Sequence, residues 1–270
     1  MRGAPDVFNG AVVRTVDLNA DLGERDVFTD IDRAVTEVVT SVSIACGFHA
    51  GSPQVMHDVA EACLARGVTI GAHVSYRDRA HFGRRAVAVE PERLVADVEE
   101  QCATLADAVG PVGATVGYVK PHGALYNAMA TDREVAAALA RAVAGQPHRT
   151  LVAQAHTPVV AMATSVGVRV VREGFPDRGY LPDGRLAPRD VPGAVVADPD
   201  EAARRARALA LDGGLLSVDG QWTAVDLDTL CVHGDTPDAD RRARAVRAAL
   251  EAAGVEVRAF VSDPPRPAAG

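Results

Sequence analysis

Lysine is almost missing from this chain. Its 270 residues carry 28 Lys and Arg side chains, and Lys120 is the single lysine. The amine and the guanidinium differ in shape and hydration, so the lone amine marks a position where arginine does not serve. Aromatic residues are 4% of the chain, and cysteines number four: Cys46, Cys63, Cys102 and Cys231. No two are spaced CxxC, which excludes a zinc ribbon or a thioredoxin-type motif. Cys63 and Cys102 fall on apolar helix faces and read as packing residues. A reduced, cytoplasmic protein is expected. No apolar run approaches about 18 residues, so no membrane span is expected. MRGAPDVFNG has no apolar core, so no secretion signal is expected. Acidic side chains exceed basic ones, for a net charge of −8, which excludes the basic footprint of a nucleic-acid binder. Missing too are a P-loop, a G-x-G-x-x-G after a strand, and a G-x-S-x-G nucleophile elbow.

What is present is an alternation of strand-like apolar runs with helical periods. Strands are predicted at 12–17, 40–47, 68–74, 115–120, at TLVAQ (150–154), at 168–171 and at TLCVHGD (229–235), with a last one at 255–260. Helices are predicted from Asp30, after the N-cap Ser52 with Pro53, over 91–109, after a capping box of Thr131 and Glu134, from Thr157-Pro158, over 198–211 and from Pro237. LLSVDGQWTAV reads as a hairpin turning at Asp219-Gly220, and 174–194 as a long functional loop. Strand-then-helix order implies a parallel sheet. Seven or so units favour a distorted barrel over an open doubly wound sheet. A single domain is expected over residues 11–261, with 1–10 and 262–270 as flexible termini.

Polar residues collect just past the strands: Asp17, Asn19, Asp21 and Glu24 after the first, then His49, His73, Lys120 with His122, His156, Arg172 with Glu173, and His233 with Asp235. Five of the eight histidines sit there, while His57, His81 and His148 lie elsewhere. Ligands of parallel α/β folds bind beyond the strand C-termini, so one polar cleft is predicted at that face. Arg204, Arg205, Arg207 and the arginines of 241–247 read as solvated helix faces. Two chemistries fit the cleft. Asp21, His49 and His73 are suitable ligands for a divalent metal that activates water. Alternatively a carboxylate, Asp21 or Glu24, is the general base and a histidine the acid, with Lys120 facing negative charge. Both lead to hydrolysis of a small molecule at a carbonyl or phosphoryl-like centre.

VDLNADLGE (16–24), SIACGFHAG (43–51), IGAHVSYRDR (70–79), FGR (82–84), VKPHGALYN (119–127), DRGY (177–180), LAPR (186–189) and CVHGD (231–235) appear in one order over nearly the whole chain. At these motifs the sequence resembles the LamB/YcsF family, whose members include the A subunit of prokaryotic 5-oxoprolinase. The family's Pro-Ser-Phe-Pro is replaced by Val74-Ser75-Tyr76-Arg77. The resemblance implies a distorted (β/α)7-like barrel of the glycoside hydrolase/deacetylase type. It implies hydrolytic opening of 5-oxo-L-proline to L-glutamate with ATP as co-substrate, and two partners, subunits B and C. Mg with the ATP, or a bound divalent ion, belongs to that expectation, and a homo-oligomer is compatible with it. On the matching positions, Asp21, Glu24, His49, His73, Lys120, His122, His233 and Asp235 are the catalytic candidates. Asn19, Arg84, Tyr126, Asp177 and Arg178 are the substrate-binding ones, with Lys120 or Arg178 holding the substrate carboxylate. A metal-dependent deacetylase of carbohydrates or amides, and a non-catalytic member of an enzyme complex, are the competing readings.

Overall fold

β1 (Thr15–Leu22) alternates apolar and polar residues, and that alternation sets the plan of the molecule. In a strand, successive side chains point to opposite faces. Val16, Leu18, Ala20 and Leu22 pack outward into the main hydrophobic core. Asp17, Asn19 and Asp21 point the other way, into polar contacts with neighbouring strands. Asn19 and Asp21 therefore lie within the strand, whereas a strand at 12–17 would have left them beyond its end. A polar alternation is what a strand facing a barrel lumen needs.

This architecture comes from a computed structural model that describes residues 15–155, 157–234 and 238–260. After β1 come α1 (Asp30–Thr36), β2 (Ser41–Ala45), α2 (Pro53–Leu64), β3 (Thr69–Val74), α3 (Pro91–Val109) and β4 (Val116–Pro121). Then follow α4 (Gly123–Thr131), α5 (Arg133–Ala144), β5 (Thr150–Gln154), α6 (Pro158–Ser165) and β6 (Arg169–Gly174). The chain closes with α7 (Pro199–Asp212), β7 (Gly214–Leu216), β8 (Trp222–Ala224), β9 (Thr229–Val232), α8 (Ala239–Ala252) and β10 (Glu256–Val257). Strands β1 to β6 pair in sequence order, β6 pairs with β9, and β9 returns to β1, all parallel. That is a closed barrel of seven strands in one domain, as the strand–helix rhythm predicts. β7 and β8 form the antiparallel hairpin beside it. β10 adds to the foot of β1 and is shorter than the predicted 255–260 strand.

Local signals account for most helix starts. The Ser52 hydroxyl accepts from the Val55 N–H, with Pro53 at the first position. The Thr131–Glu134 box is not formed. Thr131 ends α4, a helix the sequence pattern does not reveal, and Asp132 caps α5 by accepting from the Glu134 and Val135 N–H groups. The predicted helix start at Pro237, like His156, Asp235 and both terminal segments, lies outside the described residues.

The lumen is layered. At its foot Tyr118, Val152 and Val171 pack together with Phe260. Gly71 makes room for the Tyr118 ring, because a Cβ there would lie 2.1 Å from it. Beside this layer the buried Asp17 carboxylate accepts from Thr40 (2.7 Å), Ser41 (2.8 Å) and Thr229. Burial nevertheless pushes its pKa up to about 6. A carboxyl with a raised folded pKa adds stability at low pH and loses it as pH rises through that value. The rise corresponds to roughly 3 kcal/mol. Asp17→Asn is therefore expected to flatten the fall in melting temperature between about pH 4 and pH 7. Parallel pH profiles for the two proteins would rule this out.

Candidate active site at the barrel mouth

Lys120, near the end of β4, lies between carboxylates. Its ammonium, 2% exposed, meets Glu173 Oε1 at 2.7 Å and Asp21 Oδ1 at 2.8 Å. It also meets Asn19 Oδ1 at 3.1 Å and Cys231 Sγ at 3.1 Å. Asn19 in turn donates to Glu173 (3.1 Å) and Thr229 (2.7 Å). A buried ammonium has three protons to give, and four protein partners already take them. Burial alone would depress Lys120, but Asp21, Cys231 and Glu173 hold its pKa well above the ordinary value. Burial alone would raise Asp21, but His73 and Lys120 hold it well below the usual carboxylate range.

Above this cluster stand three imidazoles and Glu24. His73 is on β3, His49 is in the loop after β2, and His122 immediately precedes α4. Glu24 Oε1 lies 3.3 Å from His49 Nε2, 3.2 Å from His122 Nδ1 and 3.7 Å from His73 Nε2. The His49 and His122 rings stack at 3.9 Å. Burial lowers the pKa of His49 to about 3, while Asp21 and Glu24 raise that of His73 against its burial. The loop carrying FGR closes over the pair. Phe82 takes a left-handed conformation (φ 55°), unfavourable for a non-glycine residue, and its carbonyl accepts from His122 Nε2 at 2.9 Å. Gly83 follows with φ 62°, and a Cβ there would meet His49 at 2.9 Å. The departure at Val74-Arg77 is accommodated. The Ser75 hydroxyl bonds His49, Gln101 holds the Ser75 backbone, and Arg77 lies over Phe48.

A cavity of about 400 Å3 opens onto these residues, with Asp21, Glu24, His73, Lys120 and His122 in its wall. That is the size of a small-molecule site. Tyr126, Arg84, Arg178 and His233 also line it. The buried Tyr126 hydroxyl makes no well-formed hydrogen bond among the described residues. Its burial and the nearby Glu173 push its pKa well up, so it stays protonated. His233 Nδ1 is held by Asp177 Oδ2 at 2.8 Å, which leaves Nε2 as the exchangeable nitrogen. Asp177 sits below its usual range, because His233 and Arg242 outweigh its burial. Arg178 donates to the Ala194 (3.1 Å) and Ala187 (2.8 Å) carbonyls, tying DRGY to LAPR. Burial and the neighbouring Arg189 lower its pKa.

Most of the residues singled out in the sequence thus share one rim, but Asp17 lies at the foot of the lumen and Arg172 pairs with Asp226 and Asp228 away from the cavity. Asp21, Glu24, His49, His73, Lys120, His122 and Asn19 interlock directly, while Arg84, Tyr126, Arg178 and His233 form the outer wall, with Asp177 buried behind His233. The sequence marks Glu173 only as a polar residue after a strand. Its contact with the lone lysine is the feature that signal understates. Two arginines that the helical period assigns to solvated faces hold the cavity loop instead. Arg242 is buried against Asp177, and Arg205 donates to the Pro176 and Arg178 carbonyls. Nothing in their helical periodicity marks them apart from their neighbours.

The LamB/YcsF family model matches residues 16–263. A protein from Streptomyces griseus, the A subunit of a 5-oxoprolinase, is 49% identical over 251 residues, covering 91% of this chain and 99% of that protein. Its counterpart from Thermus thermophilus is 48% identical over 248 residues, with coverage of 91% and 99%. The crystal structure of the lactam utilization protein from Thermus thermophilus superposes with a TM-score of 0.85 at 46% identity, over 91% of this chain and 100% of that one.

Proposed function

The chain belongs to the LamB/YcsF family, and from that premise we propose that it is the A subunit of a 5-oxoprolinase, the component in whose cleft the lactam ring is opened. Supporting this is the convergence of the family motifs, from separate strands, on one cavity wall. In this reading ATP is the co-substrate and subunits B and C are the partners that carry out phosphoryl transfer. A five-membered lactam is a stable amide. Phosphorylation of its oxygen makes the carbon more electrophilic and creates a leaving group. Water then adds to that carbon, the C–N bond breaks with its electron pair going to nitrogen, and a proton is delivered there. A second water releases phosphate from the resulting acyl phosphate.

The side chains divide this work. Asp21, ionised and fixed by Lys120, takes the proton of the attacking water. Lys120 is the counter-charge that holds Asp21 ionised and pairs with Glu173 beside it, and it is not the holder of the substrate carboxylate. That task falls to Arg178, with Arg189 close by. The Tyr126 hydroxyl, kept protonated beside Glu173, turns to donate to the substrate oxygen. His233, oriented by Asp177, protonates the departing nitrogen. The four cysteines are buried, free thiols, in keeping with a reducing cytoplasm.

The test is reconstitution. The pure chain is expected to release little or no glutamate from 5-oxoproline with ATP, and mixing with B and C is expected to restore release. Robust ATP-dependent release by the chain alone, or none from the complete mixture, would overturn the proposal.

A further inference from the structure

We propose that Glu24, His49, His73 and His122 form a binding site for one divalent transition-metal ion of the zinc class. Each of the three rings has one nitrogen already engaged by the protein. His73 Nδ1 lies 3.0 Å from the Lys120 carbonyl, so that nitrogen carries the proton it donates. His122 Nε2 lies 2.9 Å from the Phe82 carbonyl and is likewise the protonated nitrogen. The Ser75 hydroxyl gives its own proton to the Tyr76 carbonyl (2.9 Å), so it accepts from His49 Nδ1 at 3.0 Å. In all three rings the outer nitrogen is a donor to the protein, and the inner nitrogen presents a lone pair. This is the outer-shell pattern that orients metal-bound histidines.

The three inner nitrogens and a Glu24 oxygen lie within 4.8 Å of one another. Two of the Glu24 distances are 3.3 and 3.2 Å, and His73 Nε2 is 3.0 Å from His122 Nδ1. With bonds of about 2.0–2.2 Å, the edge of a tetrahedral zinc site is roughly 3.4 Å, so three of the donor pairs stand close to that spacing, and binding draws in the others, Glu24 to His73 at 3.7 Å among them, and tilts the stacked His49 and His122 rings toward one point. A proton on His73 is the rival way to relieve the facing lone pairs. It bridges His73 to one neighbour, yet Glu24 Oε1 and His49 Nε2, buried and 3.3 Å apart, still face each other without a well-formed hydrogen bond. A cation satisfies all four at once. Imidazole-rich donors with one carboxylate suit zinc and its neighbours rather than magnesium or calcium.

The ligand set differs from the Asp21, His49, His73 trio predicted by sequence. Asp21 Oδ1 is taken by Lys120, and Oδ2 lies 3.4 Å from His73 Nε2 alone among these nitrogens. The rest of the trio stays, joined by Glu24 and His122. Such an ion supplies Lewis acidity at the cavity wall when bound.

The test reads binding, not turnover. Chelator-stripped full-length protein is titrated with Zn2+ by calorimetry and with Co2+ by visible absorption. One equivalent is expected to bind, with intense tetrahedral Co2+ bands and a raised melting temperature. Glu24→Gln and His49→Asn are each expected to weaken Zn2+ binding at least 100-fold. Ser75→Ala, which removes only the hydroxyl behind His49, is expected to weaken it about 10- to 100-fold and guards against misfolding of the other two. His57→Ala, on the flank of α2, is expected to bind as the parent does. Absence of stoichiometric binding by the parent, or parent-like affinity in folded Glu24→Gln and Ser75→Ala proteins, would overturn the assignment.

Discussion

Replacing Lys120 by methionine is expected to abolish glutamate formation by the reconstituted enzyme and to lower the melting temperature of the chain sharply. The ammonium is the cation shared by Asp21 and Glu173, and the whole group is buried. Removing one partner of a buried ion cluster costs about 3–5 kcal/mol, because the remaining charges lose their compensation. For a chain of this size that corresponds to a drop on the order of 10 °C. Lys120→Arg is a sharper probe of shape. Its planar guanidinium matches poorly the four acceptors that surround a single nitrogen here. It is therefore expected to retain charge yet lose most turnover. Wild-type activity in Lys120→Arg would remove the explanation for the lone lysine.

The second large effect is expected at Asp21. Asp21→Asn keeps the size of the side chain and leaves Lys120 paired with Glu173, so the fold is expected to survive with a melting temperature within a few degrees of the parent. What it loses is the proposed proton acceptor. Removal of a general base costs about 10^2- to 10^4-fold in rate, and kcat for glutamate formation is expected to fall by about 10^3. The KM for 5-oxoproline is expected to change little, because Arg178, the proposed holder of the carboxylate, is untouched. A large rise in KM at unchanged kcat would instead make Asp21 a binding residue.

Much of this is legible from the residues alone. The strand and helix rhythm predicts the barrel, and the punctuation at Ser52-Pro53 and Pro91 sets α2 and α3 where they are found. The histidines after strands point to the barrel mouth. What the pattern misses has physical causes. β1 continues through VDLNADL because a barrel strand has two buried faces, and a polar lumen makes one of them look like a strand's end. α4 is short and begins at Gly123 directly after His122 with no side-chain cap. Glu173 gains its meaning only from Lys120, which stands far earlier in the chain. Likewise the lone-pair geometry of the three imidazoles depends on backbone carbonyls of Lys120 and Phe82, which no motif specifies.

The C–N bond is expected to break in this cleft, with the phosphoryl group transferred elsewhere. The direct measurement is a single-turnover experiment on the complex of subunits B and C with the Asp21→Asn chain, following ADP and glutamate together. ADP is expected to form with the amplitude of the parent complex while glutamate falls about a thousandfold. Glutamate appearing at the parental rate, or ADP and glutamate disappearing in step, would contradict it.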